Sequence, residues 1–155
     1  MSKAPSLPDV AYAHEDDLPW ANFGGGVELK VLQVIEKAGV WVVRNRFEPG
    51  VQIPTHRHTG VVYGQTLAGR WHYAEYKIDY VAGTYIYEPA NSVHTLTVNA
   101  DNVEKTDVLF VMQGSNLNLD ENGQVWRVDD GPTTLQAYLG WCEANGHGRP
   151  GVLVE

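Results

Sequence analysis

Residues 50–69 read GVQIPTHRHTGVVYGQTLAG and contain two histidines, His56 and His58, one residue apart in a stretch of β character. Successive side chains of a strand point to opposite faces of a sheet, so these two imidazoles would lie on the same face. Both could then reach a single metal ion. The alternative is a polar surface turn after Pro54, and the pair by itself does not decide between the two.

The sequence around this stretch alternates with a period of two in many short segments separated by turn residues. Strands are predicted at 27–35, 40–47, 51–58, 61–67, 70–77, 84–88, 93–98, 107–113, 115–119 and 124–128. The last two are joined by Asp-Glu-Asn-Gly at 120–123, a strong hairpin-type turn. Many short strands with frequent turns are typical of an all-β sandwich or barrel.

Two segments flank the predicted strands. Residues 1–26 are polar, carry three prolines and end in three glycines, which predicts an N-terminal arm lying on the body. Residues 27–130 are predicted to form the barrel, and residues 131–155 a C-terminal helix and tail of the same domain. In that helix Thr133 and Gln136 resemble a capping box, and Gly146 is placed to end it. Its apolar stripe consists of Leu135, Tyr138, Leu139 and Cys142.

Composition excludes several classes of function. The chain of 155 residues has 11 basic and 19 acidic side chains, a formal net charge of −8, and no basic cluster. This argues against a nucleic-acid or anionic-membrane surface. The one cysteine, Cys142, allows neither an intramolecular disulfide nor a thiolate-rich zinc site. With no apolar signal core and no run long enough to span a membrane, we expect a soluble cytoplasmic protein.

A third histidine occurs in residues 83–98, GTYIYEPANSVHTLTV. Together with the opening stretch, this segment resembles the two motifs of the cupin superfamily. The positions that match at the expected spacing are Gly50, His56, His58 and Gly69 in the first motif, and Gly83, Pro89 and His94 in the second. The resemblance implies a double-stranded β-helix of the jelly-roll type, with His56, His58 and His94 as metal ligands.

The chain departs from the cupin motifs at three positions. Asn91 and Val98 replace the glycine and asparagine of the second motif, and Asn is a mild change because it tolerates a left-handed backbone. Val62 stands where the usual cupin has a liganding glutamate. Because valine cannot coordinate, we expect three neutral imidazoles that leave the ion's charge unneutralised and favour an anionic, chelating oxygen ligand. Imidazole suits Fe(II), Zn, Ni, Mn and Cu alike.

Among cupins, the sequence is most similar to three-histidine iron enzymes, namely acetylacetone dioxygenase and the 2,4'-dihydroxyacetophenone dioxygenases. This resemblance implies an Fe(II)-dependent dioxygenase that uses O₂ to cleave a C–C bond next to a carbonyl in a β-diketone or hydroxyaryl ketone. It also implies a homodimer, since cupins with an N-terminal arm often dimerise. Two alternatives remain. One is a non-catalytic zinc cupin resembling the sensory domain of anti-sigma factors, and the other a lyase or isomerase cupin with a Lewis-acid metal.

Further site candidates follow from the resemblance and from position on predicted strands. Glu88 could accept an imidazole N–H and fix its tautomer, or could face solvent. Arg70 could pair with an anionic substrate group, or could be an exposed strand arginine. Four aromatic residues could line a substrate pocket or form plain barrel core: Tyr63, Trp71, Tyr73 and Tyr85. Weaker candidates are Gln65, Thr95 and Met112, while His14 and His147 are expected to be solvated, and His72 is expected either at an exposed strand position or in the pocket.

Overall fold

The computed structural model describes residues 10–155, so residues 1–9 of the predicted arm lie outside the described part of the chain. Two short 3-10 turns occur at Glu15–Asp17 and Glu36–Ala38. The single α-helix among the described residues, α1, spans Gly131–Ala144. The strands are β1 (Ala21–Asn22), β2 (Val27–Ile35), β3 (Val40–Phe47), β4 (His56–His58), β5 (Val62–Ala68), β6 (Arg70–Tyr73), β7 (Tyr80–Val81), β8 (Tyr85–Glu88), β9 (Val93–His94), β10 (Leu96–Val98), β11 (Thr106–Gln113), β12 (Asn116–Leu119), β13 (Val125–Asp129) and β14 (Leu153–Val154).

The strands form three sheets. The largest has the order β1-β2-β3-β11-β5-β8, and β14 joins it beside β2. A second sheet has the order β10-β6-β7, and a third has the order β13-β12-β4-β9. All pairs are antiparallel except β14 with β2. The predicted all-β jelly roll with a C-terminal helix is confirmed.

The outer edge of β2 is covered by both ends of the described chain. β1 pairs with the first part of β2, with Ala21 opposite Leu29, so the end of the predicted arm joins the sheet. β14 pairs with the last part, with Leu153 opposite Gln33. A β-bulge between Val31 and Gln33 shifts the register of β2 against β3. As a result Val31 and Val34 are buried, whereas a strict alternation would have placed residue 33 inside.

Strand β4 is much shorter than predicted, and the predicted strand at 93–98 is divided. Pro54 has no N–H to give to a ladder, and before β4 only Gln52 bridges to Thr97. The second interruption falls at Thr95, whose N–H is bonded to the Glu75 carboxylate at 3.0 Å instead of to a neighbouring strand. β9 and β10 therefore belong to different sheets.

Helix α1 begins at Gly131, before Thr133, the first residue of the predicted capping pair. Its N-cap is Asp130, whose carboxylate accepts from the N–H of Thr133 at 2.9 Å, while the Thr133 hydroxyl accepts from the N–H of Asp130. The predicted pairing of Thr133 with Gln136 is therefore wrong, because Thr133 is the third helical residue and not the cap. The buried side of the helix carries Tyr138 and Cys142, as the periodicity predicted. None of the helices within residues 10–155 is long and apolar enough to cross a membrane.

Candidate metal centre

The three histidines of the sequence motifs lie together. His56 and His58 are on β4, and His94 on β9 is the register partner of His56. All three side chains are buried, and each offers a ring nitrogen within 4.8 Å of those of the other two. The turn before β9 places His94: Asn91 adopts a left-handed φ of 66° and donates its N–H to the carbonyl of His58 at 2.7 Å. The asparagine that replaces the motif glycine thus has the backbone conformation that the glycine would supply.

The orientation of His56 is fixed by a backbone hydrogen bond. Its Nδ1 lies 2.8 Å from the carbonyl oxygen of Pro54, which can only accept, so Nδ1 carries the proton and Nε2 keeps its lone pair. Burial lowers the pKa of His56 to about 4, with the charges of His58 and His94 acting in the same direction and the bond to Pro54 opposing them. At neutral pH His56 is therefore a neutral imidazole with a free nitrogen lone pair.

The depressed pKa of His56 predicts that the metal-free fold loses stability in mild acid. An unfolded histidine takes up a proton as the pH falls through about 6.5, whereas the folded His56 resists protonation until about pH 4. Because the unfolded state then binds more protons, the free energy of unfolding falls as the pH falls across this window. We expect His56 to account for a loss of about 2 kcal/mol between pH 7 and pH 5, measured by urea unfolding of the metal-free protein.

Two variants separate His56 from the other histidines in that experiment. His56→Gln should flatten the pH dependence, because the glutamine does not titrate. His147→Gln should leave it unchanged, since His147 is exposed and stacked on Trp141. A wild-type protein with equal stability at both pH values would contradict a buried neutral His56.

A carboxylate lies against the other two histidines. Glu88, on β8, is buried, and its Oε2 is 3.0 Å from Nε2 of His58 while its Oε1 is 3.3 Å from Nε2 of His94. Burial raises the pKa of Glu88, but the contacts with His58 and His94 lower it by more, so the group is ionised at neutral pH. Tyr73 donates its hydroxyl proton to Oε1, and burial together with the charge of Glu88 raises the pKa of that phenol.

These residues have the features of a site for a divalent transition metal ion. Three imidazoles converge in a buried space, and Nε2 of His94 is a buried nitrogen without a hydrogen-bond partner. Buried polar atoms are nearly always paired, so an unpaired nitrogen that faces two other imidazoles fits a metal ligand. Nitrogen donors of this type suit Fe, Zn, Cu and Ni.

Two of the three histidines, His56 and His58, line a cavity of about 420 Å³. Its polar end is formed by His56, His58, Glu88 and Tyr73. Most of the remaining wall is apolar and includes Val27, Leu29, Phe47, Ile53, Phe110 and Met112. Phe23, at the end of the predicted arm, also lines the cavity. A space of this size with few polar groups is typical of small-molecule sites.

A second polar group of the cavity was not predicted. Arg127 and Asp129 of β13 line the wall and form an ion pair at 3.2 Å. Directly paired residues of an antiparallel sheet share a face, so the register of β4, β12 and β13 places them on the face of the histidines. The two rows are His56–Asn118–Arg127 and His58–Asn116–Asp129. Two strand spacings separate Arg127 from His56, or about 10 Å between backbones. The hairpin turn at 120–123 was a signal for the pairing of β12 with β13, but not for that of β12 with β4.

Of the four aromatic candidates for the pocket, the structure brings one to it. Tyr73 points inward from β6 and lines the cavity. Trp71 also points inward but is fully buried in the core, where its Nε1 donates to the Thr66 hydroxyl at 2.9 Å. Tyr63 and Tyr85 lie on the outer face of the large sheet and are 43% and 61% exposed. Their strands turn the alternate positions inward.

Of the other candidates apart from Glu88, only Met112 lines the cavity. Arg70 points outward from β6 and pairs with Asp101 and, at 3.8 Å, with Asp79, so it is not part of the cavity wall. His72, also on the outer side of β6, is bonded to Asn99 at 2.8 Å. Met112 lines the cavity, and Thr95 is buried with its hydroxyl on Glu75. The weaker candidate Gln65 is half-buried and lies outside the cavity wall, and His14 and His147, which were expected to be solvated, are exposed.

Comparison with known proteins places these features in a family. Over residues 8–116 the sequence matches the family described as the ChrR cupin-like domain. A cupin-fold protein of unknown function from Ralstonia eutropha JMP134 is 27% identical, with a TM-score of 0.88, over 97% of this chain and 96% of that chain. No curated protein matches the sequence.

Two more distant structures share the fold. An acetylacetone dioxygenase from Acinetobacter johnsonii is 15% identical, with a TM-score of 0.74, over 90% of this chain and 97% of that chain. A chain of the complex between Rhodobacter sphaeroides SigE and the anti-sigma ChrR is 19% identical, with a TM-score of 0.53, over 64% of this chain and 51% of that chain. The match of the family to most of the sequence, together with the jelly roll and the histidine cluster, shows that the chain belongs to the ChrR cupin-like family.

Proposed function

We propose that the protein is a non-haem Fe(II)-dependent dioxygenase that cleaves a C–C bond next to a carbonyl in a β-diketone or hydroxyaryl ketone. The observation that carries this proposal is a cluster of three buried, convergent imidazoles, two of which line an apolar cavity of about 420 Å³. A purely structural metal would need no such space, because structural sites are closed by protein ligands.

In this proposal His56, His58 and His94 hold the iron. When bound, the ion would supply a Lewis acid for a carbonyl oxygen and a place for O₂ to bind. The protein's own contribution is positioning and exclusion of water. Apolar side chains such as Phe110 and Met112 suit the hydrocarbon body of a ketone, while Tyr73 keeps its proton and holds the Glu88 carboxylate in place.

The comparisons are compatible with this activity. A named acetylacetone dioxygenase has the same fold over nearly its whole length, although at 15% identity. The sequence resemblance to three-histidine iron cupins points in the same direction. Iron is the metal that this chemistry requires, whereas affinity alone would favour zinc or copper in an isolated sample.

Oxygen consumption tests the proposal directly. The protein would be loaded with Fe(II) under anaerobic conditions and then mixed with air-saturated buffer containing each member of a panel of β-diketones and hydroxyacetophenones. We expect substrate-dependent O₂ uptake with at least one compound, and none from the same protein loaded with Zn. No uptake with any compound from a fully iron-loaded sample would overturn the proposal.

A second candidate is a metal-binding sensory cupin without turnover. The description of the family as ChrR-like favours it, and so does the carboxylate of Glu88 beside two of the histidines, since four protein donors suit a closed zinc site. This candidate predicts stoichiometric zinc in the isolated protein and no O₂ uptake after iron loading.

The homodimer stays a prediction, to be measured by light scattering.

A further inference from the structure

Glu88 lies on β8, the strand next to β5, and β5 carries the position of the liganding glutamate of most cupins. Val62 of β5 occupies the usual glutamate position, and in the pairing of β5 with β8 the residue directly opposite Val62 is Glu88. Both side chains are buried on the inner face of the sheet. Opposite residues of an antiparallel pair have their β-carbons about 5 Å apart, so a long side chain at 88 reaches the region that a glutamate at 62 would fill.

The oxygens of Glu88 lie as far from the histidine nitrogens as two ligands of one metal ion lie from each other. Its oxygens are 3.0 Å from Nε2 of His58 and 3.3 Å from Nε2 of His94. Yet Oε2 of Glu88 and Nε2 of His94 are both buried without a hydrogen-bond partner. Donors about 2.1 Å from one ion lie about 3.0 Å apart at right angles and about 3.4 Å apart in a tetrahedron.

The Oε1 atom of this carboxylate is held in place by a hydrogen bond from a tyrosine. Oε1 accepts the hydroxyl proton of Tyr73, a residue that is itself buried. This bond fixes the carboxylate orientation, with the orphaned Oε2 beside His58 and Oε1 beside His94. A ligating carboxylate that is also hydrogen-bonded to a neighbouring group is the usual arrangement at protein metal sites.

We propose that Glu88 is the fourth protein ligand of the metal, so that the carboxylate absent from position 62 is supplied across the sheet from position 88. The proposal rests on the metal site put forward above, but not on oxygenase activity. The ligand set is then three neutral imidazoles and one negatively charged carboxylate, and not three neutral ligands alone. An octahedral ion would then keep two positions open towards the cavity in the absence of substrate.

The probe that tests this proposal is Co(II), whose visible absorption reports the number and type of its ligands. The two key variants are Glu88→Val, which removes the carboxylate, and the exchange Val62→Glu/Glu88→Val, which returns it from the opposite strand. We expect Glu88→Val to weaken Co(II) affinity at least about 10- to 100-fold and to change the absorption band, and the exchange variant to restore both. Asp79→Asn, which alters a carboxylate paired with Arg70 outside the cavity wall, should leave the band unchanged.

The absorption band distinguishes a ligand from a neighbour of ligands. A carboxylate that only contacts the imidazoles would weaken affinity on removal but leave the band of bound Co(II) as in the wild type, and that result overturns the proposal. Glu88→Gln, which keeps the shape of the side chain, provides the same comparison if Glu88→Val does not fold. Failure of the wild type to bind Co(II) also overturns it. Because no turnover is measured, these outcomes are independent of the O₂ experiment.

Discussion

Replacing His94 by alanine is expected to abolish stoichiometric metal binding and, with it, the proposed oxygenase activity. His94 is the register partner of His56 and completes the cluster from a separate strand. The substitution removes one of three imidazoles and leaves the buried Glu88 carboxylate without one of its two histidine contacts. Loss of a direct ligand should exceed the 10- to 100-fold loss of affinity typical of groups behind the ligands.

The measurement is metal content after loading with Fe(II) and gel filtration, followed by O₂ uptake. His72→Ala is the matched control, because His72 lies in a different sheet from His94, is half-buried and is bonded to Asn99 on the outer side of β6. That variant should keep one metal per chain. A His94→Ala protein that still holds stoichiometric metal would rule out the ligand assignment of His94.

Replacing Trp71 by alanine is expected to be the most destabilising of the aromatic substitutions, at about 3–5 kcal/mol. The side chain has no exposed surface and packs against the rings of Tyr73, Tyr80 and Phe110, with centroids 5.0, 4.8 and 6.3 Å away. Alanine would leave a large void and remove the donor to the Thr66 hydroxyl. The free energy of unfolding in urea measures this loss.

Tyr85→Ala is the control for Trp71, since the sequence marked both residues as candidates for the pocket. Tyr85 is 61% exposed on the outer face, so its removal should change the free energy of unfolding by less than about 0.5 kcal/mol. If Trp71→Ala instead left stability unchanged and weakened ketone binding, Trp71 would belong to the pocket and not to the core.

The sequence predicted the strands, the helix and the shared face of His56 and His58 because these depend on short spacings. A period of two identifies strands, a period of 3.6 identifies α1, and one intervening residue keeps His56 and His58 on one face. The position of His94 came from its resemblance to a motif, since no spacing along the chain shows that β9 pairs with β4.

The side of the sheet that each aromatic residue faces could have been predicted in part. A metal-facing position at 62 implies that Tyr63 faces outward, and an inward Glu88 implies the same for Tyr85, because one and three residues along a strand lead to the opposite face. This reasoning fails at a bulge. In β2 the register shift between Val31 and Gln33 reverses which residues face inward, and the local sequence pattern does not predict this bulge.

Contacts between distant strands were predicted only where a resemblance pointed to them, as for Glu88, and Arg127 was missed. Arg127 enters the cavity wall because β12 lies between β13 and β4, and Glu88 reaches the histidines because β8 pairs with β5. Both depend on strand order and register, which the packing of the whole barrel decides and which pattern along one strand does not contain.

The two strands that pair with the outer edge of β2, β1 and β14, are synthesised at very different times. β1 can pair with β2 early, since Ala21 and Leu29 are close in the chain. β14 pairs with a residue 120 positions earlier, as Leu153 faces Gln33. On the ribosome, the second half of this edge stays unpaired until residues 153–154 have been synthesised. In that interval it offers free N–H and C=O groups to the strands of neighbouring nascent chains.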